Sequence, residues 1–150
     1  MYLTVLLLHS WLRWLALVGG AGAAVSALGR GSEALRRTER WGLIFMIALD
    51  VQLLVGLLLY GMLSPFTAEA MRDFGAAMRN PVLRFWAVEH ITMMLAAVIL
   101  VHVGRVLARK TTNVDLKRKR LLICFPLALL LVLGGIPWPG MTTARPLFRF

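Results

Sequence analysis

Residues 41–62 read WGLIFMIALDVQLLVGLLLYGM, a segment long and apolar enough to cross a bilayer core, which takes roughly 20 helical residues. Three more apolar segments have the same capacity, at Tyr2–Leu28, 82–107 and 121–136. The last is the shortest and carries Pro126, which is tolerated near a helix start. Because short loops separate the segments, neighbouring helices should run antiparallel. The sequence therefore predicts an all-α fold, a single integral membrane domain over all 150 residues, built as an antiparallel bundle of four transmembrane helices.

Composition and charge support this class. Hydrophobic residues make up 59% of the chain, above the roughly half that is usual for soluble domains. The net charge is +10, and the basic residues are concentrated between the first two segments and from the end of the third segment onward: Arg30, Arg36, Arg37, Arg40, Arg105, Arg109, Lys110 and 117–120. The opposite side carries fewer basic residues: Arg72, Arg79, Arg84, Arg145 and Arg149. By the positive-inside rule, both termini lie outside and the basic loops in the cytoplasm, where they meet anionic lipid and not nucleic acid.

The connection between the second and third segments predicts one more helix. Residues 68–80 place apolar side chains at helical spacing, namely Ala70, Met71, Phe74, Ala77 and Met78. We expect a short amphipathic helix lying on the outer membrane surface. A lid over a site that opens outward is the alternative for the same segment. The basic and aromatic tail at 141–150 is expected to dock on a partner.

Several chemistries are missing from the sequence. The one cysteine, Cys124, rules out an internal disulfide, and no Cys-x-x-Cys-His motif is present for covalent attachment of a c-type haem. Hydrolytic nucleophile arrangements, phosphate-binding loops and zinc-ligand spacings are also missing. Polar residues inside the apolar segments are therefore the candidates for function.

Two histidines lie at the same predicted membrane depth. His9 enters from the outer side on the first segment and His90 on the third, each about 9 Å deep at a rise of about 1.5 Å per residue. Facing imidazoles in a helix bundle are what bis-histidine haem ligation needs. The alternative is that both rings make interhelical hydrogen bonds. His102 lies about 18 Å below His90 and is expected to be an interfacial histidine beside Arg105.

Charged residues also occur near the bilayer midplane. Arg13 and Asp50 reach similar depths from opposite sides, so we expect a buried ion pair, with Gln52 hydrogen-bonded to it. A proton relay or quinone site built on Asp50 is the functional alternative. Because Arg13 shares a helix face with His9, it also lies within reach of a haem propionate.

Glu89 adjoins His90 but points about 100° away around the helix. A hydrogen bond from Tyr60 or an ion pair with Arg84 or Arg72 is the structural expectation for this carboxylate. Its functional alternative, shared with Gln52, is contact with a quinone or a proton path near the outer face.

Four strings carry a family resemblance: LHSWLRW at 8–14, DVQLLVG at 50–56, RFWAVEH at 84–90 and IPW at 136–138. Over nearly the whole chain the sequence resembles small bacterial four-helix membrane proteins labelled "cytochrome B". The resemblance implies a b-type haem and a place in the bacterial inner membrane. The family's recurrent polar residues correspond to His9, Arg13, Gln52, Glu89 and His90. Near Asp50 family members commonly carry another polar residue, often histidine, so the chain departs from the pattern there.

These observations predict a membrane b-type cytochrome-like protein that transfers electrons, alone or as a subunit, and they favour such a role over that of a stand-alone enzyme. One haem b would lie near the outer face with His9 and His90 as axial ligands. Arg13 would support its propionates, and Trp11 or Trp14 would pack on the macrocycle. A quinone is a further candidate ligand. The expected partners are membrane lipid and other subunits of a membrane complex.

Two other functions stay open at this point. The chain is in one case a haem-free accessory or structural subunit of a larger respiratory or photosynthetic complex, in which His9 and His90 only join helices. In the other it is a small proton or ion carrier that uses Arg13, Asp50 and Glu89.

Overall fold

The computed structural model describes residues 1–148, and within that range the chain forms helices and no strand. The helices are α1 (Tyr2–Leu28), α2 (Gly31–Leu58), α3 (Pro65–Arg72), α4 (Phe74–Ala77), α5 (Pro81–Arg84), α6 (His90–Arg109) and α7 (Val114–Gly135). A π-helical turn at Leu59–Leu63 continues α2, and another at Phe85–Glu89 joins α5 to α6. Arg149, one of the predicted outer basic residues, lies outside the described range.

Three helices within residues 1–148 are long and apolar enough to cross a membrane, at Tyr2–Leu28, Gly31–Leu63 and Pro81–Arg109. The first has the predicted bounds, and an all-α chain with helices able to span a membrane is thereby confirmed. The helix α7 begins earlier than its predicted apolar segment, because Asn113 caps it by accepting a hydrogen bond from the Leu116 amide. Its first two turns consequently carry the basic run 117–120, which shortens its apolar part.

Close approach of glycines joins α1 to α2. A Cβ atom on Gly19 would lie 3.1 Å from the backbone of Phe45, and one on Gly22 would lie 2.5 Å from the ring of Trp41. The order of these contacts makes the two helices antiparallel. In lipid, small residues of this kind let helix backbones approach and gain packing energy. The glycine-rich half of α1 is therefore used for packing inside the chain.

The core between the long helices is built from small and aromatic side chains. Phe45 on α2 meets Phe125 on α7 edge to face, with ring centroids 6.5 Å apart. Fully buried alanines come from each of the four long helices: Ala16, Ala23, Ala48, Ala97 and Ala128. Their outer faces carry many exposed leucine, isoleucine and valine side chains, as lipid-facing surfaces do. Pro126 lies inside α7 and not near its start, because the helix begins at Val114.

The predicted helix at 68–80 is in fact two short helices, α3 and α4, broken at Asp73. The Asp73 carboxylate accepts a hydrogen bond from the Ala76 amide at 2.9 Å and so starts a new helix. The predicted apolar stripe is only partly buried. Ala70 and Ala77 are buried against the start of the third span, whereas its largest members stay about half exposed: Met71 and Phe74.

The C-terminal segment folds back on the chain itself. Trp138 donates its indole N–H to the Leu133 carbonyl at 2.8 Å, which fixes the end of α7. The chain turns at Gly140, whose φ of +94° favours glycine. Phe148 then stacks on Trp14 of α1, with ring centroids 5.0 Å apart and planes 8° apart. The described part of the tail therefore docks on α1, whereas the sequence suggested a partner.

Candidate functional site

His9 and His90 face each other between α1 and α6, with ring centroids 6.3 Å apart and an interplanar angle of 66°. Equal depth in the membrane, read from the sequence, thus corresponds to real proximity. On the α1 side, Gln52 donates its amide N–H to the His9 carbonyl at 2.9 Å. Gly56, one turn further along α2, leaves room for the imidazole, since a Cβ there would lie 3.2 Å from His9 Cε1.

The His90 ring is oriented by α7. Its Nδ1 lies 2.7 Å from the Gly135 carbonyl, an acceptor, so Nδ1 carries the proton in this bond. The other nitrogen, Nε2, is then unprotonated and has a lone pair available. Histidines that ligate a metal through Nε2 adopt this same tautomer. The π-helical turn Phe85–Glu89 immediately precedes His90, and such turns occur frequently at functional sites.

Three buried polar atoms near the histidines have no hydrogen-bond partner within residues 1–148: His9 Nδ1, Gln52 Oε1 and Trp86 Nε1. A buried donor or acceptor without a partner costs about 1–3 kcal/mol, so such groups are rare in folded proteins. All three residues line the same two cavities.

Two cavities flank the histidine pair, of about 100 Å³ and about 60 Å³. The larger extends from α1 and α2 towards Phe66, and the smaller extends towards Arg13 and Pro137. His9 and His90 line both. The other residues common to the two walls are mainly apolar: Leu6, Leu49, Gln52, Trp86, Met94 and Arg145.

The predicted ion pair between Arg13 and Asp50 is not formed within the described residues. Successive residues of a helix are about 100° apart, so Gln52 and Asp50 point in roughly opposite directions. Because Gln52 faces α1, Asp50 turns away from α1 and Arg13. Asp50 Oδ2 lies 3.5 Å from Nε2 of His102, and Arg13 donates to the Leu147 carbonyl. Counting residues along the helices did not give the direction in which the two side chains point.

The structure also places Trp11, Trp14 and Glu89, for which contacts were predicted. Trp11 and Trp14 line neither cavity; both rings contact Phe148, which takes the place predicted for a macrocycle. Glu89 also stays outside the cavity walls. It accepts a hydrogen bond from Arg84 at 2.6 Å, one of its predicted partners, while Tyr60 donates to the Ala87 carbonyl.

The histidine pair fits a haem iron in separation. A metal–imidazole bond is about 2 Å and the ring centre lies about 1 Å beyond the nitrogen, so rings on opposite sides of one metal lie roughly 6 Å apart. The measured centroid distance is 6.3 Å. Within residues 1–148 no group of three or more His, Cys, Asp or Glu side chains is placed to hold a metal, but a haem iron needs only two axial ligands.

The volume of the two cavities limits what can lie between the histidines. The two cavities, about 100 Å³ and 60 Å³, are smaller than the roughly 300–1,000 Å³ of typical small-molecule sites. A macrocycle enters only if neighbouring side chains move aside. Met94, whose flexible side chain lines both cavities, is one such neighbour.

Sequence reasoning missed Arg145, Gly135 and Gly56 as parts of this site. Gly135 contributes a backbone carbonyl and Gly56 contributes free space. Neither contribution can be recognised from the residue type in the sequence. Arg145 was assigned only to the outer set of basic residues, because its place beside the histidines depends on contacts between residues far apart in the chain.

No protein-family model, curated protein or solved structure matches the chain significantly. The assignment of a function therefore rests on the geometry of the site.

Proposed function

We propose that the chain is a b-type cytochrome-like protein of the bacterial inner membrane, which transfers single electrons alone or as a subunit of a larger complex. The observation that carries this proposal is the placement of His9 and His90, face to face at 6.3 Å. His90 is held by Gly135 in the tautomer that leaves Nε2 for a metal. When bound, the haem supplies a one-electron carrier.

The residues around the pair have separate tasks in this proposal. His9 and His90 would ligate the haem iron. Gln52 anchors the α1 backbone at His9, and the hydrogen bond to Gly135 keeps the His90 ring from rotating. The apolar walls would keep water away from a bound haem, and the exclusion of water affects the reduction potential of a haem. Of the two predicted quinone contacts, only Gln52 borders the cavity, so a quinol that delivers electrons would approach from that side.

The proposed membrane arrangement is the antiparallel bundle of four transmembrane helices, with α7 as the fourth. Its support is the distribution of charge. Basic residues cluster around the α1–α2 junction, at Arg30, Arg36, Arg37 and Arg40, and around the α6–α7 junction, at Arg105, Arg109, Lys110 and 117–120. Both termini and the short helices α3 and α4 then lie on the outer side. His9 and His90 come to lie in the outer half of the membrane.

Haem content in a set of variants tests this proposal. We expect about one haem per purified wild-type chain and almost none in His9→Ala or His90→Ala, since each variant removes an axial ligand. His102→Ala is the matched control, because its ring binds Asp50 away from the cavities, and it should keep its haem. Equal haem content in the three variants would contradict the proposal.

The small cavity volume favours a second function, the haem-free accessory subunit. In that case His9 and His90 join α1 to α6 without a metal, and the space between them stays as small as it is here. This protein would purify without colour from cells with ample haem and would do so together with larger partner subunits.

A further inference from the structure

Arg145 is brought to the histidine pair by the returning C-terminal segment. Its amide N–H donates to the Pro137 carbonyl at 3.2 Å, which closes the loop after α7. Its guanidinium lies 4.6 Å from the ring centre of Phe66 and 5.5 Å from that of Trp86. Aromatic faces hold an arginine by cation–π attraction and leave its N–H groups available to other partners. Arg145 borders both cavities.

The charges around the cavities have one sign. Within the described residues, no Asp or Glu lines either wall, and none forms an ion pair with Arg145. The smaller cavity is bordered by a second arginine, Arg13. The positive electrostatic field of these arginines stabilises a ligand that carries carboxylates, but it gives no such stabilisation to a neutral ligand.

Unpartnered polar atoms lie in the same walls. Trp86 Nε1 is a buried donor with no partner among residues 1–148, and it belongs to the ring over which Arg145 lies. Gln52, 8% exposed, lines both cavities, and its Oε1 atom also has no partner in the described part of the chain. Apolar surfaces, an arginine and a free indole N–H together suit a flat apolar molecule with an acidic edge.

We infer that Arg145 binds a carboxylate of the molecule held between His9 and His90, which in the function proposed above is a haem propionate. This inference rests on that proposed function. It makes the C-terminal segment part of the site, because residues 137–148 carry the arginine and close the cavity at its outer end.

A comparison of two ligands separates this role from a structural one. Wild type, Arg145→Gln, Arg145→Lys and the control Arg72→Gln, whose side chain is exposed on α3, are each loaded with haem or with haem dimethyl ester. The esters remove the carboxylate charge and keep the macrocycle. The rate of loss to excess apomyoglobin is measured for each combination, together with the midpoint potential.

We expect Arg145→Gln to lose haem about tenfold faster than wild type, the effect of removing one charge-assisted hydrogen bond. With the dimethyl ester the two proteins should lose ligand at similar rates. Arg145→Lys should lie nearer to wild type, and Arg72→Gln should equal it. Equal acceleration with haem and its ester, or none with haem, would overturn the inference. Failure of every protein, wild type included, to bind haem would instead overturn the proposed function and this inference with it.

Discussion

The position of His9 depends on a hydrogen bond to its backbone and on the space that a glycine leaves for its ring. Gln52 fixes its carbonyl, and Gly56 leaves the space that its imidazole fills. The sequence predicted the meeting of His9 and His90, because depth along two helices follows from counting residues. It could not predict Gly56 or the direction of Asp50, because both depend on how α1 and α2 rotate against each other.

Gly56→Ala tests this positioning. The added Cβ would lie 3.2 Å from His9 Cε1, so the ring has to turn away by a small angle. A turn of about 30° from a rotamer costs about 0.5–1.5 kcal/mol, which lowers haem affinity about two- to tenfold. Gly61→Ala is the control, since a Cβ there meets nothing within 4 Å. Haem titration of the two proteins measures the difference, and equal affinities would show that Gly56 does not position His9.

The Asp50–His102 contact yields a prediction about coupling. A double-mutant cycle of Asp50→Ala and His102→Ala, measured by unfolding in detergent, gives their coupling energy. We expect a value near 0.6 kcal/mol and at most about 1.7 kcal/mol, as for other interhelical polar pairs in membranes. The matched cycle of Asp50→Ala with Arg13→Ala should give a coupling energy close to zero, because those side chains form no ion pair. A larger coupling with Arg13 than with His102 would contradict the structure.

Helix boundaries show which element-scale features the sequence specifies. The start and end of α1 follow from its apolar run and agree with prediction, while the break between α3 and α4 was missed. There the Asp73 carboxylate competes with the helix for a backbone N–H, which apolar periodicity does not reveal. The start of α7 was missed for a similar reason, since the basic run 117–120 hides a helix that Asn113 caps.

Packing of α1 on α2 is testable at Gly22. A larger residue there meets the Trp41 ring, from which a Cβ would lie only 2.5 Å, so Gly22→Val should destabilise the protein by about 1–3 kcal/mol. Ala21→Val is the control on the neighbouring, exposed position. Thermal unfolding in detergent compares the two variants. Equal melting temperatures would mean that α1 and α2 are not in close contact at this point.

At the basic end of the molecule, contacts to Glu39 join α2 to α6 and α7. Lys117 pairs with the Glu39 carboxylate at 2.7 Å, and Arg105 donates to the Glu39 carbonyl at 3.0 Å. The helical class and the separation of charge followed from the sequence. The docking of the tail on α1 did not, because it depends on contacts between residues far apart in the chain.

Cysteine labelling tests the proposed topology. The chain has one cysteine, Cys124, which is buried, so a Cys124→Ser background makes added cysteines the sole targets. We expect Thr142→Cys to react with a membrane-impermeant maleimide in intact spheroplasts. Thr112→Cys, between α6 and α7, should react only after permeabilisation. Labelling of both from the same side would show that α7 does not cross the membrane.

The most direct test of the account is the visible absorption spectrum of the wild-type protein, purified in detergent from cells with ample haem. Spectra are recorded oxidised and after reduction with dithionite. The account predicts the sharp reduced α and β bands of a low-spin b haem, because His9 and His90 would both ligate the iron. A featureless spectrum would contradict it and favour the haem-free subunit.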